Sequence, residues 1–284
     1  MKTGIVQSAY MNRYGVEKGL AKMREHGFSC LDYSGLQNVS DPLYSLNDRD
    51  FEQTLSALRK QIESAGIYVS QIHGPWSWPP DDTTEEKREI HRKYAERSIF
   101  GAACIGSENF VIHPVFPWGC DQDPDPEKMW QINRDFLVSL LPAAEKYGVT
   151  VCFENMPMTV LAISGPAAIL KMVKEINNPR LKVCLDTGHS NILGCPPADA
   201  VRMLGKEFLA VLHVHDNNGL WDQHLLPGEG TTDWDDFAAA LKEIGFEGTV
   251  SLETTVPAAI EIGPERDVLE LKLAKTAQKL AGIL

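Results

Sequence analysis

The sequence predicts a single (β/α)8 barrel, and three observations carry that expectation. Short, almost continuously apolar segments alternate with amphipathic ones along the whole chain. Eight such pairs occur in its 284 residues, and from the third to the eighth each apolar segment ends in His, Asp or Glu. Apolar strands between amphipathic helices mean a parallel sheet covered by helices. Eight units suit closure into a barrel of about 250 residues better than an open doubly wound sheet. No linker, low-complexity tract or other repeat divides residues 1–284, so one domain is expected.

The elements follow in order. Strand one covers residues 4–7. The first helix follows Gly15, with Val16, Leu20 and Met23 on one face and Gly27 as its stop. Strand two is 28–33, and a polar loop leads to a helix over 51–65. Strand three is 67–73, then a helix spans 84–106. Strand four is 109–113, and a helix over 127–147 places Leu137, Leu140, Leu141 and Ala144 on one stripe. Strand five is 149–154. Ser164 is positioned to cap the next helix, with Pro166 in its first turn and its end near Ile176. Strand six is 181–186, a short helix spans 197–204, and strand seven is 209–215. Asp233 caps a helix bearing Trp234, Phe237, Leu241 and Ile244. Strand eight is 249–253 and a last helix covers 265–280.

Composition narrows the function classes. The net charge of −12 argues against nucleic acid or an anionic membrane as partner. No apolar run reaches membrane-spanning length, and Met1-Lys2-Thr3 leads directly into strand one without a signal-peptide core. A soluble cytoplasmic protein is expected. The six cysteines form no C-x-x-C pair. Cys30, Cys152 and Cys184 lie inside strands and read as small buried hydrophobes in a reducing compartment.

Polar groups gather where such barrels carry their chemistry, at the C-terminal ends of the strands. Those ends hold His73, His113, Glu154, Asp186 with His189, then His213 and His215, and Glu253. Two residues back on the same face lie Gln71, Val111, Cys152, Cys184, Val211 and Ser251, a mostly small or apolar layer. The segment from Leu212 to Gly230 is densest, adding Asp222 and His224, which share a face if that segment is extended. One His or carboxylate at a strand end is commonly a satisfied polar residue or a turn cap. Several carboxylates crowded into one mouth would repel one another and shift upward in pKa unless a cation were present. Mixed nitrogen and oxygen ligands suit Zn, Mn, Co or Mg.

The Glu154-Asn155, Asp186-Thr187-Gly188-His189, His213-Val214-His215-Asp216 and Leu252-Glu253 motifs carry a resemblance. With the order of the units, they make the chain resemble the xylose isomerase-like (β/α)8 superfamily. That superfamily includes sugar and sugar-phosphate isomerases and epimerases, inosose dehydratases and the apurinic endonuclease IV family. The ketose epimerase branch implies one divalent metal held by Glu154, Asp186, His213 and Glu253, with the two glutamates as acid and base. His213 is preferred to His215 because Asp216 follows it by three residues. Where that branch usually has an Arg six residues after the metal His, this chain has Gly219. The endonuclease branch implies up to three zinc ions. Compatible residues stand at each of its ligand positions: His73, His113, Glu154, Asp186, His189, His213, Asp222, His224 and Glu253. A homo-oligomer is common in the superfamily.

The loops favour a small sugar. Trp76 and Trp78 follow strand three, Phe116 and Trp118 follow strand four, and Trp221 follows strand seven. Aromatic faces suit the C–H faces of a sugar, and Trp76, Trp118 and His215 are expected to contact substrate. Asp81, Asp82, Asp121, Asp123 and Asp125 make the rim acidic, where a phosphodiester would call for Arg and Lys. The expected activity is a metal-dependent isomerase or epimerase. Glu154 or Glu253 would take the proton beside a carbonyl through a metal-stabilised enediolate, with His189 bonding a substrate oxygen. A keto-sugar dehydratase or lyase shares that first step. A multi-zinc phosphodiester hydrolase and a non-catalytic sugar-binding barrel are the alternatives from other classes.

Overall fold

The computed structural model describes residues 1–284. The chain runs β1 (Lys2–Val6), α1 (Met11–Tyr14), α2 (Val16–His26), β2 (Cys30–Tyr33), α3 (Asp48–Ser64) and β3 (Tyr68–His73). It continues with α4 (Glu85–Ile105), β4 (Asn109–Ile112), α5 (Pro126–Tyr147), β5 (Thr150–Glu154), α6 (Pro166–Ile176) and β6 (Leu181–Asp186). The last part holds α7 (Thr187–Ile192), α8 (Pro197–Phe208), β7 (Leu209–His213), α9 (Trp234–Glu243), β8 (Thr249–Leu252) and α10 (Pro264–Leu280).

The strands form one parallel sheet in the order β7-β6-β5-β4-β3-β2-β1-β8. The ring closes just past the end of β7. Val214 N–H donates to the Ser251 carbonyl at 2.9 Å, and Glu253 N–H donates to the Val214 carbonyl at 3.0 Å. This is the (β/α)8 barrel that the alternating pattern predicts. Register sets the height of the polar residues. Glu154 pairs with Cys184, and Asp186 pairs with His213. Inside the barrel, Val111, Cys152, Cys184 and Val211 form a separate buried cluster below the polar layer. The main core lies between the sheet and its helices.

Caps fix where the helices begin. Asn47, Thr84, Asp125 and Asp233 each accept a backbone N–H of the following turn. Ser164 does not cap α6 as expected. Gly165 is the N-cap, Pro166 opens the helix, and the Ser164 hydroxyl is buried without a partner. The Ser164 carbonyl instead accepts Met156 N–H at 2.9 Å, which ties the two ends of the loop between β5 and α6 together. Strand seven ends at His213 rather than His215. The short α7 is absent from the predicted elements; Asp186 caps it by accepting His189 N–H at 2.7 Å. No helix is long and apolar enough to cross a membrane.

Candidate metal centre

Four of the predicted ligands meet at one point. Glu154 and Asp186 end β5 and β6, His213 ends β7, and Glu253 follows β8 directly. One potential ligand atom from each lies within 4.8 Å of the others. His213 Nδ1 is 2.9 Å from Glu154 Oε1 and 3.3 Å from Glu253 Oε2. Its Nε2 turns the other way, to Asp32 Oδ2 at 3.3 Å. Gln71 donates to that same Asp32 oxygen at 3.1 Å and to the Leu212 carbonyl at 3.3 Å. Asp32 escaped the sequence reading. Its signal was a lone carboxylate inside an apolar strand.

Two flanks adjoin this quartet. On one side, His113 Nε2 lies 3.1 Å from Glu154 Oε2 and 3.1 Å from His73 Nε2. On the other, Asp222 Oδ2 lies 3.3 Å from both His189 Nε2 and His224 Nε2. Asp222 and His224 come together without an extended segment, because His224 adopts a positive φ of 48°. His189 Nδ1 faces the Asn155 carbonyl at 2.8 Å. His215 is fully buried, 3.0 Å from Asp186 and stacked under His224 with ring centroids 3.9 Å apart. That position supports Asp186 rather than meeting a substrate. Gly188 permits it, since a Cβ there would fall 2.0 Å from the His215 ring.

The charges interlock. Burial alone would raise the Glu154 pKa, but His213 and His113 outweigh it and hold the carboxyl well below its usual range. Burial likewise opposes, and His189 and His215 overcome, a lowered Asp186. Burial raises Glu253 despite its histidine neighbours. Burial also works against protonated imidazoles, yet Asp186 and Asp222 push His189 to about 10, and Asp222 and Glu253 push His224 to about 9. His73, buried against His113, is lowered.

Asp216 organises the loop that carries Asp222 and His224. Its carboxylate accepts Asn217, Gly228 and Gly230 N–H at 2.9 Å, Thr232 N–H at 3.3 Å and Trp234 Nε1–H at 2.8 Å. Gly230 must lack a Cβ, which would sit 2.2 Å from the Asn217 carbonyl. Asp216→Ala is expected to lower unfolding free energy by about 2–5 kcal/mol, because it strands several buried donors. Chemical denaturation checks this, and a loss below about 0.5 kcal/mol would be the size of an ordinary surface change. Burial pulls the Asp216 pKa up, but the indole and backbone donors lower it below 3.8. A depressed folded-state pKa stabilises the fold above the unfolded value. That contribution disappears as pH falls through the folded value.

Glu154 and Glu253 of the quartet, with both flanks, line a cavity of about 480 Å³, while Asp186 and His213 are fully buried and do not line it. Trp76 and Trp78 line it, and Trp76 packs edge-on against His113 at 4.4 Å. No Arg or Lys does. Trp118 lies outside the lining and packs partly buried against the apolar core. Trp221 is 71% exposed and also stands apart.

The donor set fits a divalent cation. Three carboxylates and an imidazole converge, and Glu154 Oε2, though 3.1 Å from His113 Nε2, is buried without a well-directed hydrogen bond. Three carboxylates this close repel one another, and a cation relieves that repulsion.

Fold and site together define a (β/α)8 barrel with a carboxylate–histidine mouth. The chain matches the xylose isomerase-like TIM barrel family over residues 20–274 and belongs to it. It is 30% identical over 266 residues to an uncharacterised protein of Methanocaldococcus jannaschii, covering 89% of this chain and 83% of that one. It is 23% identical over 272 residues to a D-psicose 3-epimerase of Agrobacterium fabrum, covering 93% and 89% of the two chains. A solved D-tagatose 3-epimerase-like protein has a TM-score of 0.73 at 25% identity, with 99% of each chain covered.

Proposed function

We infer that this protein is a divalent-metal-dependent isomerase or epimerase of a small keto-sugar. One observation carries the reading: the Glu154 and Glu253 carboxylates converge with Asp186 and His213 and line a cavity that holds no Arg or Lys. Glu154, Asp186, His213 and Glu253 would hold the metal. When bound, it supplies a Lewis acid for negative charge developing on adjacent substrate oxygens. One glutamate takes the proton beside the carbonyl, and the other returns a proton to a neighbouring carbon or face. His189 donates a hydrogen bond to a substrate oxygen, its ring fixed by the Asn155 carbonyl. Trp76 and Trp78 offer apolar faces to the sugar and limit water. The resemblance to sugar epimerases in sequence supports the same class.

The test is exchange of the carbonyl-adjacent proton. Protein loaded separately with Zn, Mn, Co and Mg is mixed with ketoses in D2O, with deuterium wash-in followed by NMR and products by chromatography. Absence of exchange and of new epimers with every ketose and metal would sink the reading. The convergence of His73 and His113 on one flank, and His189, Asp222 and His224 on the other, favours a second reading. It is a multi-zinc hydrolase of phosphodiesters. Against it stands the lack of any Arg or Lys at the cavity, since phosphates are met by such groups.

Metal uptake is expected to release protons. Burial lowers the His213 pKa, but Cys184, Glu154 and Glu253 outweigh it and hold the imidazole well above its usual range, so His213 must lose a proton to bind a cation and affinity rises with pH. Calorimetry in two buffers of different ionisation enthalpy reads the release. Identical heats in both buffers would show that His213 binds metal already neutral.

A further inference from the structure

A second chamber of about 660 Å³ adjoins the metal cavity. Gln37, His224 and Glu253 line both spaces. The chamber lies between the loops after β1, β2 and β8 and the inner side of α10. Small-ligand sites occupy about 300–1,000 Å³, so either space alone accommodates a sugar-sized group.

The walls specify what fits. Ser8, Asn12, Ser34, Gln37 and Thr255 present hydroxyls and amides, and Val6, Leu226 and Val256 present apolar surface. Of the cationic side chains there, Lys272 is held by Glu229 at 2.6 Å, and His224 by the Glu253 carbonyl at 2.6 Å and Asp222 at 3.3 Å. An anion would find no free partner. A ring with hydroxyl edges and C–H faces finds both kinds of surface.

The wall after β8 is built rather than loose. Arg266, 2% exposed, pairs with Glu270 at 2.8 Å. Its Nη1 donates to the Ile260 carbonyl at 2.9 Å and its Nη2 to the Val256 carbonyl at 3.4 Å. Arg13 donates to the Ala258 carbonyl at 2.8 Å and to that of Ile260 at 3.1 Å. These bonds fix the backbone from Val256 to Ile260. A preformed wall removes part of the ordering cost of binding.

We propose that this chamber is a glycosyl subsite, and that the substrate is a keto-sugar unit carrying a second, uncharged sugar residue. The reacting end sits at Glu253 and the second ring lies among Ser8, Ser34 and Thr255. The assignment of the reacting end rests on the isomerase reading above. The subsite itself rests on the chamber. Contacts to a remote ring add binding energy that can be used in the transition state, so they raise kcat/KM.

The experiment compares D-fructose with its 4-O- and 6-O-glucosyl derivatives, maltulose and isomaltulose, on metal-loaded protein in D2O. At least one disaccharide is expected to exceed fructose in kcat/KM for proton exchange by about tenfold or more, the scale of a well-formed pocket contact. Thr255→Trp and, from another wall, Asn12→Trp each fill the chamber. Both are expected to bring that ratio down to about one, the value without a remote contact. Fructose matching or exceeding both disaccharides in the unmodified protein overturns the subsite. If none of the three exchanges, the isomerase reading fails for these ketoses and binding decides the subsite separately. Saturation-transfer NMR to the glucosyl protons of isomaltulose, present in the unmodified protein and lost in both variants, sustains it. No transfer, or transfer unchanged in the variants, overturns it.

Discussion

Glu253→Gln is expected to lower turnover of an accepted keto-sugar by about 10²–10⁴-fold, the usual contribution of a positioned acid or base. The amide keeps the shape of the side chain but cannot take or return a proton at neutral pH. Folding should survive the change. Glu253 holds the barrel closed through its backbone, with its N–H on the Val214 carbonyl and its own carbonyl 2.6 Å from His224 Nδ1. Its side chain is 22% exposed, against 1% for Glu154. Glu154→Gln is a less clean test, because that carboxylate touches His113 and His213 and its loss disturbs both. Wash-in of deuterium beside the carbonyl, with metal content measured in parallel, separates a lost proton carrier from a lost ligand. Exchange retained within about threefold, too small for loss of an acid or base, would remove Glu253 from the chemistry.

Why these residues could be found in sequence, and others not, follows from geometry. In a strand, alternation fixes which side chains share a face, so Glu154, Asp186 and the two histidines of strand seven could be placed at the barrel mouth from the pattern, and the family resemblance picked out His213. The layer below was equally legible: Val111, Cys152 and Cys184 point inward because they sit two residues back in β4, β5 and β6. Loops have no such period. Asp222 reaches His224 through a residue of positive φ, and Trp118 turns toward the core although it follows a strand just as Trp76 does. His215 was misplaced for a related reason. The strand stops at His213, and the imidazole two residues later is pulled under His224 by Asp186. Asp186 also starts α7 with the same carboxylate that faces the site, a double use that spacing cannot reveal. Asp32 and Asp216 act on their neighbours through hydrogen bonds whose partners are distant in sequence. Asp32 is visible in the chain only as a charge among apolar residues, and Asp216 only as the last residue of the His213-Val214-His215-Asp216 motif.

Stripping metal with a chelator is expected to abolish turnover and to destabilise the fold, and restoring a divalent ion should reverse both. Three carboxylates within 4.8 Å of one another, with His213 among them, are left to repel when the cation leaves. A ligand present at about a thousand times its Kd stabilises the folded state by roughly 4 kcal/mol, which for a chain of this size is a melting shift of about ten degrees. Thermal melts with and without EDTA read this independently of any substrate. An unchanged melting temperature would mean that the quartet binds no metal in the folded protein. The number of ions then decides between the two chemistries. If the quartet alone holds metal, one ion per chain remains after His73→Ala or Asp222→Asn, since each alters only a flank. If the flanks hold metal as well, elemental analysis gives a higher count that falls in each variant. Three zinc ions per chain would move the assignment to phosphodiester hydrolysis, with His73 and His113 serving one ion and His189, Asp222 and His224 another. A single ion insensitive to both substitutions leaves those histidines free to position a sugar around the two glutamates.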